Sequence, residues 1–290
     1  MMVDRDMFST IIGNYCTLTA LLAIFAFVYG DPAENYYREL ECIPGNGDGK
    51  PTYYNCSILD KITEDKCLYK GKEYAIDETI REDEVNDKCI VECTCIQIYT
   101  TNKARWSCVD IECGELFHHE PDCKYLYDGH DKCCSSSKLC GEEEPAGTCK
   151  YGGKTYVYGE KFYPNEERCK YCICGEGFNG SLTEPWCQTF SCNLYLHYLN
   201  YIREGCLPTY YETDSCCPIP VWRCPQSDDV VVTPKNVEVC ESCKDQVCKF
   251  GNLKLAKGQK LSPSTSEDSK NVDCSCQVPP HLTCVTINKE

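Results

Sequence analysis

Apolar and polar residues alternate with period two around each C-x-C group. The clearest runs are Ile90-Val-Glu-Cys-Thr-Cys-Ile-Gln-Ile-Tyr99 and Tyr171-Cys-Ile-Cys-Gly175. Both are rich in β-branched and aromatic residues, and Gly, Pro and Asn punctuate the chain between such runs. This pattern predicts short antiparallel strands joined by turns, with little helix. Asn193–Ile202 (NLYLHYLNYI) fits either a helical turn or a strand, and periodicity does not separate the two. A third kind of run, Leu18–Tyr29, is continuously apolar and precedes Gly30. It reads as the core of a secretory signal over 1–30 that is cut after small residues, and it is short for a membrane span of about 20 residues.

The cysteines repeat. One series is Cys67, Cys89, Cys93, Cys95, Cys108, Cys113, Cys123, Cys133, Cys134 and Cys140; the other is Cys149, Cys169, Cys172, Cys174, Cys187, Cys192, Cys206, Cys216, Cys217 and Cys224. Twelve residues follow the C-x-C, four separate the next two cysteines and nine precede the doublet in both series. Fixed spacing used twice implies one supersecondary unit used twice. The organisation read from this is a signal (1–30), an N-terminal segment with one cystine loop, Cys42 with Cys56 (31–66), a first module (67–140) and an acidic linker (141–148). A second module (149–224), a linker with a short β-prone run (225–239) and a partial third copy (240–290) complete it. The tail carries Cys240, Cys243, Cys248, Cys274, Cys276 and Cys284. It keeps the first half of the pattern, with Cys240 or Cys243 expected to supply replacement pairing.

Composition sharpens the class. The chain has 29 cysteines in 290 residues, the usage of a disulfide scaffold from an oxidising compartment. With 29 Cys and 21 Tyr set aside from the 42% hydrophobic fraction, about a quarter of the chain remains to build a core. Small units with lean cores need covalent staples, each bridge contributing about 2–4 kcal/mol. The expected fold class is small, disulfide-rich and mostly β: a string of cystine-stapled modules with short antiparallel strands. Removing Cys16 with the signal leaves 28 cysteines, an even number that can pair completely.

A formal charge of −16 argues against nucleic acid and anionic membrane surfaces and fits a basic protein partner or simple solubility. Asn55-Cys-Ser57 and Asn179-Gly-Ser181 are glycosylation sequons. Cys169-Lys-Tyr-Cys172 could be read as a zinc or redox pair, but a secreted chain with an even cysteine count favours disulfides. His118-His119 with Glu120 and Asp122 could meet a metal, although neighbouring loop residues rarely reach one ion, so a solvated loop is preferred. No catalytic motif is present, so neither an enzyme nor a cofactor is expected. Tyr195, Tyr198, Tyr201, Tyr210 and Tyr211 crowd the stretch before the second doublet, where this copy has thirteen residues between cysteines against nine in the other. Tyrosine suits partner contacts, but covering cystines in a thin module is the stronger reading.

The ten-cysteine unit resembles the von Willebrand factor type C domain. The residues that carry the resemblance are the C-x-x-C-x-C group, Tyr151, Gly153, Tyr156, Gly159-Glu160, Trp186 beside Cys187, and Cys216-Cys217-Pro218. The first copy departs at Cys89-x3-Cys93, one residue longer, and at Asp77 where the second has Gly159; Tyr69, Gly71 and Tyr74 persist. In the tail, Cys248-Lys-Phe-Gly251 and Gly258 follow the same order. The resemblance implies a β-rich first subdomain and a second with little regular structure. As in chordin- and kielin-like secreted proteins, it also implies binding and modulation of growth factors of the bone morphogenetic protein and TGF-β class. Matrix assembly, and a defence or venom factor such as a protease inhibitor, are the alternatives. Ten cysteines allow hundreds of pairings, and the spacing does not choose among them.

Overall fold

A computed structural model describes residues 32–45, 50–118, 120–211, 216–237 and 247–287. The expected signal with Cys16, His119, Cys240 and Cys243 lie outside the described residues. The fold is small, disulfide-rich and mostly β, built from many short antiparallel sheets. Among the described residues thirteen disulfides hold it, including the expected Cys42–Cys56 loop.

The first half of the unit occurs three times. Each copy opens with a tight hairpin: Cys67–Tyr69 with Lys72–Tyr74, Thr148–Tyr151 with Lys154–Val157, and Val247–Phe250 with Leu253–Ala256. A three-stranded sheet follows, in which Cys93 faces Cys108, Cys172 faces Cys187, and Cys274 faces Cys284 across adjacent strands. Those facing residues are bridged at Cα separations of 4.0, 4.0 and 4.1 Å. Directly opposed residues in an antiparallel pair come close enough for this where they exchange no backbone hydrogen bonds.

A turn between hairpin and sheet is equally repetitive. Asp77, Gly159 and Gly258 all take left-handed backbone, with φ of 70°, 86° and 87°. Their N–H groups donate to the carbonyls of Cys95, Cys174 and Cys276 at 2.8, 2.7 and 2.8 Å. Two residues earlier, the N–H groups of Ala75, Val157 and Ala256 donate to the side chains of Glu78, Glu160 and Gln259. Aspartate tolerates left-handed backbone better than most residues. The two glycines are there for a further reason. A Cβ on Gly159 would lie 2.9 Å from that of Leu126, and one on Gly258 would lie 2.7 Å from Val237 Cγ1. The Gly159 carbonyl also accepts the Tyr127 N–H at 2.8 Å, so first-module backbone lies directly on this turn. Gly159→Ala is therefore expected to cost about 1–3 kcal/mol through strain and overpacking. Asp77→Gly should stay within about 0.5 kcal/mol of the parent, since relief of strain offsets the added entropy of the unfolded chain. Denaturant titration of both variants checks the contrast.

Numbering each series of ten cysteines in order, both modules join first to fourth, second to eighth, third to fifth, sixth to ninth and seventh to tenth. The tail cysteines pair with one another in the first-to-fourth and third-to-fifth manner, Cys248–Cys276 and Cys274–Cys284. These four need no replacement partner, contrary to the sequence expectation, because the cysteine missing from the tail pairs outside the first half in the complete modules.

The second half has more regular structure than the resemblance implied. After the sixth cysteine comes helix: one turn, Gly114–Phe117, in the first module and ten residues, Leu194–Arg203, in the second. The four extra residues there lengthen the helix, which settles the ambiguity at Asn193–Ile202. A hairpin follows, Cys123–Leu126 with Ser137–Cys140, or Leu207–Tyr210 with Ile219–Arg223.

The modules are not independent beads. The Leu194–Arg203 helix buries Leu194, Tyr195, Leu196, Leu199 and Ile202 and packs on first-module strands Cys67–Tyr69 and Ala104–Asp110. Strand Leu207–Tyr210 pairs in parallel with tail strand Thr283–Thr286. A six-stranded sheet results, closed at its far edge by Val231–Val232 from the second linker. An N-terminal helix, Pro32–Glu39, caps the assembly. The Tyr37 hydroxyl donates to the Val278 carbonyl at 2.5 Å, and its ring stacks on Tyr54 at 4.2 Å. One core thus draws on the N-terminal segment, the first module, the second half of the second module and the tail. The first half of the second module keeps a separate small core around Phe162, Cys172, Cys174 and Cys187. A lean unit gains more by burying its helix against a neighbour than by staying apart, at about 1.5–3 kcal/mol for each large apolar side chain.

Candidate functional site

The helical turn after the sixth cysteine occurs in two environments. Cys113 and Cys192 are equivalent, so Ile111 corresponds to Phe190, Leu116 to Tyr195 and Phe117 to Leu196. The backbone agrees: the N–H of His118 bonds the Gly114 carbonyl at 3.0 Å, and that of His197 bonds the Asn193 carbonyl at 3.1 Å. In the second module this face is consumed. Tyr195 is 3% exposed and its hydroxyl donates to the Leu40 carbonyl at 2.9 Å; Leu196 is equally buried. In the first module no described residue buries it. Leu116 is 75% exposed and Phe117 64%; Val91 and Val109 on the preceding strands, and Ile111 just after them, are exposed as well.

The segment itself carries charge of one sign. Val109–Phe117 (VDIECGELF) carries Asp110, Glu112 and Glu115 with no cation, and Glu92 is exposed opposite Val109. Glu115 is anchored, accepting the Ser135 N–H at 2.8 Å and the Tyr127 hydroxyl at 3.3 Å. Burial alone would raise its carboxyl pKa, but these hydrogen bonds outweigh that and hold it below the ordinary value. Cys113–Cys134 pins the middle of the segment, and the Ile111 N–H donates at 2.7 Å to the carbonyl of Cys89, itself bridged to Cys133, so the side chains are presented on a stapled base. Exposed apolar side chains with an acidic rim on a stapled frame suit contact with a protein.

The tyrosines singled out in the sequence divide. Tyr195 and Tyr210 are 3% and 2% exposed, so they lie in the core and on no partner surface. The reason is that the parallel strand pair and the N-terminal helix close over them. Tyr198 and Tyr201 pack on Trp222 with centroids 5.1 Å away, Tyr201 in a stacked arrangement that leaves its other face open. Tyr211 is about half exposed. Leu116 and Phe117 carried no such sequence signal; only their equivalence to Tyr195 and Leu196 reveals them.

The remaining candidates are placed as follows. Asn55 and Asn179 are exposed, and each side-chain oxygen accepts the N–H two residues on, from Ser57 and Ser181, at 3.0 Å. Cys169 and Cys172 bond to Cys216 and Cys187, not to each other, so they form no redox dithiol. Among the described residues three groups of side chains are close enough together for a metal: Cys113, Cys133 and Cys134; Cys192, Cys216 and Cys217; and Glu120, Cys123 and Cys140. Every sulfur in them is in a disulfide, and a disulfide sulfur is not the thiolate that metals take. Glu120 forms an ion pair with Lys138.

No family model matches this chain, and no solved structure matches it. Thirteen disulfides are compatible with an extracellular protein. Among the described residues no helix is long and apolar enough to cross a membrane.

Proposed function

We propose that the protein is a secreted binding protein that modulates extracellular growth factors of the bone morphogenetic protein and TGF-β class. It would do so by covering receptor-contacting surface with the Val109–Phe117 face of its first module. One observation carries the proposal: Tyr195 and Leu196, the second-module counterparts of Leu116 and Phe117, are buried against neighbouring segments, while Leu116 and Phe117 are exposed. The cysteine order and its resemblance supply the ligand class. The acidic rim and the −16 charge favour a basic ligand and a salt-dependent encounter rate.

Leu116→Asp and Phe117→Asp are expected to weaken growth-factor binding at least tenfold, as loss of a central apolar anchor does. Both side chains are exposed, so melting temperatures should barely move. Surface-immobilised binding of the full oxidised chain to a panel of such ligands at physiological salt reads this. Saturable binding that both variants retain would discard the face, and silence across the panel would discard the ligand class. Matrix assembly draws on the same uncovered face. It would show instead as concentration-dependent oligomers that these substitutions dissolve.

A further inference from the structure

A pocket of about 270 Å³ opens where the first module's loop at 86–89 and turn at 130–133 meet the sheet of the second module. Its walls include Lys88, Lys132, Lys161, His130, Tyr171 and Phe190. In a chain with an excess of sixteen acidic charges, three ammonium groups on one concavity are a local reversal of sign. The one carboxylate on the lining is already engaged: Asp87 accepts the Cys89 N–H at 2.8 Å and the Asn193 side-chain amide at 2.7 Å. Lys132 has an exposed partner in Asp131 at 3.7 Å. Lys88 and Lys161 have no ion-pair partner among the described residues.

Lys161 is the most telling of these groups. Its ammonium sits 3.7 Å from the Tyr127 ring centroid and 5.1 Å from that of Tyr171, held by aromatic faces in place of an anion. Burial pushes its pKa down and the more distant Glu115 charge offsets this only in part, a balance that a negative charge bound in the pocket would shift. His130 donates from Nε2 to the Trp186 carbonyl at 2.9 Å and packs edge-on to Tyr171 at 4.9 Å. Its Nδ1 is enclosed with no hydrogen-bond partner among the described residues. A half-buried ammonium with no ion-pair contact, beside the Lys88 ammonium on one concavity, is the complement of an oxyanion.

We propose that this pocket binds a small organic anion, a sulfate ester or carboxylate carried on a single aromatic ring. The ammonium groups of Lys88 and Lys161 take the charge, and Tyr171 and Phe190 take the ring. The volume lies just below the range of about 300–1,000 Å³ usual for ligand sites, which suits one ring with its anionic group and not an extended polymer. A long polyanion would in addition meet the acidic remainder of the surface. The same chemistry could arrive as a free molecule or as a sulfated tyrosine of a peptide.

The test is calorimetric titration of the full oxidised chain with 4-methylphenyl sulfate, 4-methylphenol, inorganic sulfate and a glycine-flanked sulfotyrosine peptide. The sulfate ester should saturate one site, with the neutral phenol and inorganic sulfate at least tenfold weaker. Lys161→Met and Lys88→Met should each weaken the ester about tenfold, while the exposed tail residue Lys257, changed to Met, leaves it unaltered. A peptide that binds tenfold more tightly than the free ester assigns the site to a protein side chain, and equal affinities assign it to a free anion. No saturation in the millimolar range, equal binding of the phenol, or binding indifferent to both pocket lysines would overturn the proposal. Growth-factor binding plays no part in this readout, so its failure leaves the pocket untouched.

Discussion

Asp229→Ala is expected to cost about 3–5 kcal/mol of stability, because it strands a buried guanidinium. Arg223 and Asp229 form an ion pair with side chains only 1% and 4% exposed. The arginine also donates to the Cys224 carbonyl at 2.7 Å and lies over the Phe250 ring at 5.5 Å. The second carboxylate oxygen accepts the Gln226 N–H at 2.7 Å. Strand Ile219–Arg223, the linker turn and the tail hairpin therefore converge on this one pair. Removing both charges should be far milder than removing one. The double variant Arg223→Met with Asp229→Leu is expected within about 2 kcal/mol of the parent, since a buried ion pair rarely outperforms apolar residues of similar volume. Denaturant titration with the disulfides intact gives both numbers, and protease cutting between residues 225 and 247 should rise in the single variant alone. Single and double variants of equal stability would show that the pair is not desolvated as described.

Acidification supplies the second large effect. His281 packs against Tyr36 at 5.7 Å and Tyr37 at 5.9 Å, and its backbone N–H donates to the Tyr37 hydroxyl at 2.8 Å. Part of the residue reaches the surface, but its Nε2 is sealed from solvent without a hydrogen-bond partner. Burial, helped by the Lys249 charge, lowers its pKa to about 4 from the ordinary 6.5. The unfolded chain then takes up a proton before the folded chain does. Stability from this group is complete above pH 6.5, falls as pH drops through 6.5, and stops falling near pH 4. Between pH 7.5 and 5 the loss should be about 1–2 kcal/mol, the fully buried value reduced for the exposed edge. His281→Phe keeps a ring against the two tyrosines and removes the titration. Its unfolding free energy should drop less than the parent's over the same interval, and parallel pH profiles would refute the assignment.

Much of the local architecture was legible in the residues. The two series share their order of cysteines and take the same pairing, although only the third-to-fifth bridge closes the same separation in both, 15 residues, and the other four differ by one to four residues. Period-two alternation around Cys93 and Cys172 located the central strands. The Asp77 departure from Gly159 looked like divergence of sequence alone. The structure shows a left-handed turn in both, with first-module backbone lying on the second copy only. The stretch Asn193–Ile202 was undecidable, because ten residues with apolar side chains nearly throughout carry neither period. The tail pairing was misjudged at Cys240 and Cys243, since a half-unit that closes on itself cannot be told from one that borrows a partner by spacing alone.

The amino-acid sequence by itself determined the unit: its stapled class, its short strands, its order of cysteines and the number of times it recurs. These depend on contacts a few tens of residues apart at most, where chain geometry leaves few choices. Tertiary structure alone decided which faces are spent. Tyr195 and Leu116 stand at the same offset from equivalent cysteines, yet one is sealed under the N-terminal helix and the other is open to solvent. Apolar burial is non-directional and scales with area, so a sticky face is satisfied by whichever complementary surface comes within reach. That outcome is set by the parallel pairing of Leu207–Tyr210 with Thr283–Thr286 and by the docking of Pro32–Glu39, contacts between distant segments that leave no periodic trace in the chain.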